Sequence, residues 1–192
     1  MSIESARWNN PGLNEETLLR QATTLPSGRG IRGFRDLLLY SADTSMSPLE
    51  TLARDRLLQA IVQGRLRRVE TIEFQVGFQL REPNREPTMV WVDILINGYL
   101  VVEVDGREKH SGAFTSAEES LRRERERETK LQNLGARIYR VKREGITGPD
   151  FIPQLQRVID QFPGVKTLPG RSHLSYRDWE AEWERRLRRS FE

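Results

Sequence analysis

Two stretches of the chain place an apolar residue at every second position, the mark of a strand with one face in a core. Over residues 69–80 the apolar positions are Ile72, Phe74, Val76, Phe78 and Leu80, with Gln75 and Gln79 on the opposite face. From Val90 a second alternation, through Val92, Ile94 and Ile96, runs into Asn97-Gly98, and Tyr99 to Val102 resume beyond it. Asn and Gly both tolerate the positive φ of a type I′ turn, so this stretch predicts a tight hairpin. Residues 137–141 predict a further strand.

Elsewhere the apolar spacing is helical. Residues 13–23 predict a short helix through Leu18 and Leu19, and residues 31–42 another through Ile31, Phe34, Leu38 and Leu39. Arg29, Arg32 and Arg35 make the approach to the second basic, as a phosphate-contacting patch or a solvated helix end. Ser47-Pro48-Leu49-Glu50 is a capping-box start, with Leu49, Leu52, Leu57, Ile61 and Val62 as a core stripe and Gly64 as terminator. Ser116 and Glu119 open a long charged helix that Gly135 ends, with Leu121, Leu131 and Leu134 on one narrow buried side. Glu124 with Arg127, and Glu126 with Lys130, are spaced for ion pairs within it. Residues 150–162 predict an amphipathic helix through Phe151, Ile152, Leu155, Val158 and Ile159. In the tail, Trp179, Trp183, Leu187 and Phe191 recur every fourth residue. Such a stripe needs cover, from its own domain, from a protein partner or second copy, or by stacking on nucleic acid.

Composition narrows the class. The 192 residues include no Cys, which removes disulfides and thiolate zinc sites and fits a reducing cytoplasm. No stretch is long and apolar enough to span a membrane, so no membrane partner is expected. The net charge of +3 permits nucleic-acid binding without requiring it.

The predicted hairpin carries the candidate chemistry. Asp93, Glu103 and Asp105 are set into or beside core-like strands, and Lys109 and His110 follow Gly106. Carboxylates are seldom buried unless paired or bound to metal, so the group asks for a cation; otherwise it is an edge hairpin whose acids face solvent. Hard divalent ions bind through one or two carboxylates plus phosphate oxygens.

Ser47-Pro48-Leu49-Glu50, Asp93, Glu103-Val104-Asp105-Gly106, His110, Glu124 to Arg127, and Gly135 to Arg140 follow one another in an order that resembles the PD-(D/E)XK nuclease superfamily. The likeness is to its very-short-patch-repair (Vsr) endonuclease-like branch, including the domain at the C-terminus of AbiEi-type abortive-infection proteins, and covers about residues 44–145. It implies an α/β, restriction-endonuclease-like mixed sheet flanked by helices. Residues 1–43 would then be a helical N-terminal extension, 44–162 the nuclease domain, and 163–192 a linker and amphipathic C-terminal helix. The winged-helix domain that usually precedes such a domain in AbiEi-type proteins is not expected in so short a leader.

The resemblance implies a Mg²⁺- or Mn²⁺-dependent DNA endonuclease, in phage defence or DNA repair. Asp93, Glu103 and the Val104 carbonyl would bind the metal, and His110 would accept a proton from the attacking water. Glu50 would point at the metal, a role its capping position leaves open. Asp105 stands where many members have Lys, with Lys109 as a shifted cation. Glu124, Arg127 and Arg140 would face the nucleic acid, Glu124 replacing the usual Asp. The other reading is an inactive nuclease-fold module that binds nucleic acid or regulates. Three acids beside a phosphate backbone would repel it, which favours metal chemistry.

Overall fold

The computed structural model describes residues 6–7, 10, 12–26, 28, 30–40, 47–80, 87–106, 117–175 and 178. They divide into two compact units, Met1–Arg56 and Leu57–Glu192. In the first, helix α1 (Glu15–Thr24) starts where the Asn14 side chain accepts the Thr17 N–H at 2.8 Å. Helix α2 is Ile31–Tyr40. Arg35 donates to the Ala22 carbonyl at 3.1 Å, so this arginine of the basic approach is engaged within the unit. Arg29 lies outside the described residues.

Helix α3 (Pro48–Val62) carries the chain from the first unit into the second. Ser47 Oγ accepts the Glu50 N–H at 3.2 Å and donates to the Glu50 carboxylate at 2.9 Å. The predicted box is seen here through the serine hydroxyl, which both accepts and donates. The expected core stripe is corrected: Leu52 and Val62 are exposed, Val62 by 87%, and the buried apolar residues are Leu49, Ala53, Leu57 and Ala60. Their four-four-three spacing is a clean helical stripe drawn partly in alanine, which a reading by large apolar residues passes over. Gly64, at φ 67°, ends the helix in the left-handed region as predicted.

The second unit is built on a four-stranded mixed sheet, β1 (Ile72–Leu80), β2 (Thr88–Ile96), β3 (Leu100–Asp105) and β4 (Arg137–Lys142), in that spatial order. β1, β2 and β3 form an antiparallel meander, while β4 joins β3 in parallel after a crossover through helix α4 (Ala117–Asn133). Helices α5 (Arg143–Thr147) and α6 (Phe151–Gln161) follow, and α6 buries Phe151, Ile152, Leu155 and Ile159. The chain is therefore α/β, with helices flanking a mixed sheet.

The hairpin turns at Asn97-Gly98, both at positive φ (52° and 71°), as the dipeptide demands. Asn97 is buried because its amide also works at long range. Its Oδ1 accepts from Glu70 N–H (2.8 Å) and Thr71 N–H (3.3 Å), and its Nδ2 donates to the Arg68 carbonyl (2.7 Å). The clean alternation expected in β1 is broken at one point. Gln75, placed on the polar face by the pattern, is buried and adopts φ 50°. A left-handed residue leaves the extended geometry on which alternation depends. Phe74 pairs with Ile94 and Val76 with Val92, so Gln75 stands opposite Asp93.

The chain after α6 straps the sheet. Lys166 N–H donates to the Asn97 carbonyl (3.0 Å) and Leu168 N–H to that of Gly98 (3.2 Å), and Leu168 is buried. Gln79 N–H then donates to the Gly170 carbonyl (2.6 Å) and Ser172 N–H to that of Gly77 (2.8 Å), while Arg171 pairs with Glu73. The strap covers part of the outer edge of β1, a row of backbone groups that would otherwise invite another strand. The stripe Trp179, Trp183, Leu187, Phe191 lies outside the described residues.

Candidate functional site

β3 is one of the two inner strands, and from Leu100 to Val104 all its residues are buried, Glu103 among them at 7% exposure. The β2–β3 ladder runs Ile96–Leu100, Leu95–Val101, Ile94–Val102 and stops. Asp93 and Glu103 would be its next pair. Instead the Asp93 carboxylate reaches across and accepts the Val104 N–H through Oδ2 at 2.8 Å. A side chain thus replaces a rung of the ladder, and two carboxylates stand together where it ends.

α4 brings cations to them. Its inward stripe is not the leucine side expected: Leu121 is 60% exposed. Leu131 is buried, and with it the half-buried Glu124, Arg127 and Glu128 turn inward at helical spacing. The predicted Glu124–Arg127 pair is present and bidentate, Nη2 to Oε1 at 2.9 Å and Nε to Oε2 at 3.2 Å. Arg127 Nη1 donates to Glu103 Oε1 at 3.1 Å and to the Trp91 carbonyl at 2.9 Å. On β4, Arg140 is in register with Glu103 and pairs with Glu124 Oε1 (3.0 Å) and Glu128 (3.5 Å).

Burial raises the Glu103 carboxyl above the ordinary carboxylate range, and the neighbouring Asp93 charge raises it further, against the pull of Arg127. Burial works against the charge on Arg127, but its bonds to Glu124 and Glu103 prevail and hold it firmly protonated. The ion pair therefore does not fully offset burial and the neighbouring acid, and the neutral form of Glu103 is favoured relative to a free carboxyl.

The sequence-derived residues are distributed as follows. Asp93, Glu103, Val104, Glu124, Arg127 and Arg140 converge. Asp105, at the end of β3, is exposed, and in the parallel register it lies beside Lys142. Glu50 is buried in the first turn of α3, in the other unit. Lys109 and His110 lie outside the described residues. The sequence reading missed Glu128 as a partner of Arg140 and the Trp91 carbonyl as a partner of Arg127. The first was visible as a helix neighbour of Glu124, and the second, a backbone acceptor, leaves no mark in a sequence.

Among the described residues no three His, Cys, Asp or Glu side chains gather into a metal-binding group. Two carboxylates and a backbone carbonyl nevertheless suit a Mg²⁺-like ion, which keeps several waters and takes one or two carboxylates plus substrate phosphates. No protein-family model, curated protein or solved structure matches the chain.

Proposed function

We propose that the chain is a metal-dependent DNA endonuclease of the restriction-endonuclease-like, PD-(D/E)XK type, similar to the Vsr branch. The observation that carries this reading is the buried Glu103 beside Asp93, at the point where Asp93 takes the Val104 N–H in place of a ladder rung. Two acids held together at a cost in charge, in the middle of a sheet, suit a divalent cation. The element order also supports it: capped helix, strand with Asp93, strand ending in Glu103 to Gly106, helix with Glu124 and Arg127, strand to Arg140.

In this reading Asp93, Glu103 and the Val104 carbonyl hold Mg²⁺ or Mn²⁺. When bound, the ion supplies charge stabilisation at a phosphate and a water of lowered pKa. Asp93 does two jobs, fixing the Val104 backbone through its Oδ2 and presenting charge beside Glu103. Arg127 and Arg140, held by Glu124 and Glu128, supply fixed positive charge toward the nucleic-acid backbone. His110 is the candidate proton acceptor and Lys109 the candidate phosphate neutraliser.

The test is plasmid nicking in Mg²⁺ or Mn²⁺, with binding measured in Ca²⁺. Wild type is expected to nick, Glu103→Gln and Asp93→Asn to lose at least about 100-fold in rate, and both variants to keep binding DNA. His110→Ala is expected to slow nicking steeply with binding intact. A second reading, a nuclease fold that binds without cutting, draws on the ion pair within the site, since Arg127 already sits on Glu103. Metal binding without cleavage of any DNA or RNA would favour it.

A further inference from the structure

We infer that Arg127 is a resident counter-cation of Glu103 that a divalent ion must displace, so that this guanidinium sets the metal affinity of the site. The inference rests on the metal reading above. Its basis is the asymmetry of the Arg127 contacts. On Glu124 the guanidinium is gripped by two parallel bonds, from Nη2 and Nε. On Glu103 it makes one contact, from Nη1 to a single oxygen, and the same Nη1 also donates to the Trp91 carbonyl. A bidentate fork holds geometry far better than a single contact. Arg127 can therefore release Glu103 and keep its place, anchored by Glu124 and the backbone of β2. The Glu103 and Arg127 side chains are only 10% and 22% exposed, so their attraction is weakly screened, and so is the repulsion between guanidinium and an arriving divalent ion. Either cation can satisfy Glu103, and both cannot do so at full strength.

Arg140 provides the control. It carries the same charge and binds the same Glu124 oxygen, but its ion pairs are to Glu124 and Glu128. Removing it lowers the local positive field without vacating Glu103.

The experiment is calorimetry with Mn²⁺ at neutral pH on the full chain, with far-UV circular dichroism to establish folding. Arg127→Gln is expected to bind Mn²⁺ about tenfold more tightly than wild type, and Arg140→Gln to change affinity by less than about threefold. A folded Arg127→Gln that binds no more tightly than wild type overturns the inference, as does an equal gain in Arg140→Gln, which would mean a general field. In those cases wild-type binding that Glu103→Gln abolishes still leaves the metal reading standing. If wild type and Arg127→Gln both fail to bind Mn²⁺, the metal reading falls and the inference with it. A readout on the unaltered protein covers the case of a variant that does not fold. The ¹⁵N resonance of Arg127 Nε, assigned with Arg127→Lys, is expected to move with Mg²⁺ occupancy. A resonance unmoved at saturation overturns the inference.

Discussion

A single carboxyl shows how the site couples to stability. Glu103 is raised from an ordinary value of 4.5 by burial and by Asp93. Well below that value both folded and unfolded states hold the proton and the shift has no effect. As pH climbs, the unfolded chain gives up its proton first, and folding is progressively disfavoured until the folded value is passed. Glu103→Gln never ionises. In chelator, its melting temperature relative to wild type should therefore rise as pH climbs above about 4.5, and a flat or falling difference would contradict the shift. Asn97 makes a different case at the same scale. Its three amide bonds and positive φ are all lost or strained in Asn97→Ala, which should cost about 3 kcal/mol in urea unfolding. The turn was legible because Asn-Gly advertises its backbone. The bonds to Arg68, Glu70 and Thr71 were not, because nothing in the dipeptide says which distant backbone it will meet.

At the level of elements, α4 separates what pattern reveals from what it hides. Its end at Gly135 and its Glu124–Arg127 pair followed from capping and spacing, yet its inward face was misjudged by following leucines. Leu121→Ala should cost under about 1 kcal/mol, whereas Leu131→Ala should cost about 2–5 kcal/mol, since the first is exposed and the second sealed. Equal costs in chemical denaturation would mean that the charged stripe does not face the sheet. Charges turn inward here because β3 and β4 present Glu103 and Arg140 to be met. That demand arises from residues distant in sequence, and no helical periodicity carries it. The same limit applies to β1, whose apolar alternation was plain but whose left-handed Gln75 opposite Asp93 was not.

For the molecule as a whole, the near balance of charge, +3 over 192 residues, argues that any hold on DNA comes from a few placed cations rather than a broad field. The proposed binding should thus have a shallow dependence on salt, and Arg140→Gln should reduce the slope of log affinity against log salt by about one. An unchanged slope in fluorescence anisotropy would remove Arg140 from the contact surface. The α/β class, the four strands and the hairpin were readable because each strand carried its own pattern and the hairpin its own turn. The strap over β1 was not, since residues 166–172 look like linker and act only through backbone bonds. That strap bears on how the protein is made. Glu73 and Arg171, which it joins, are 98 positions apart, so a ribosome finishes β1 long before it makes the segment that shields it. Throughout that interval the nascent sheet has an open flank, and closing so long a loop is a slow kind of step. Crowded synthesis is then a condition under which this edge is open to sticking to its neighbours.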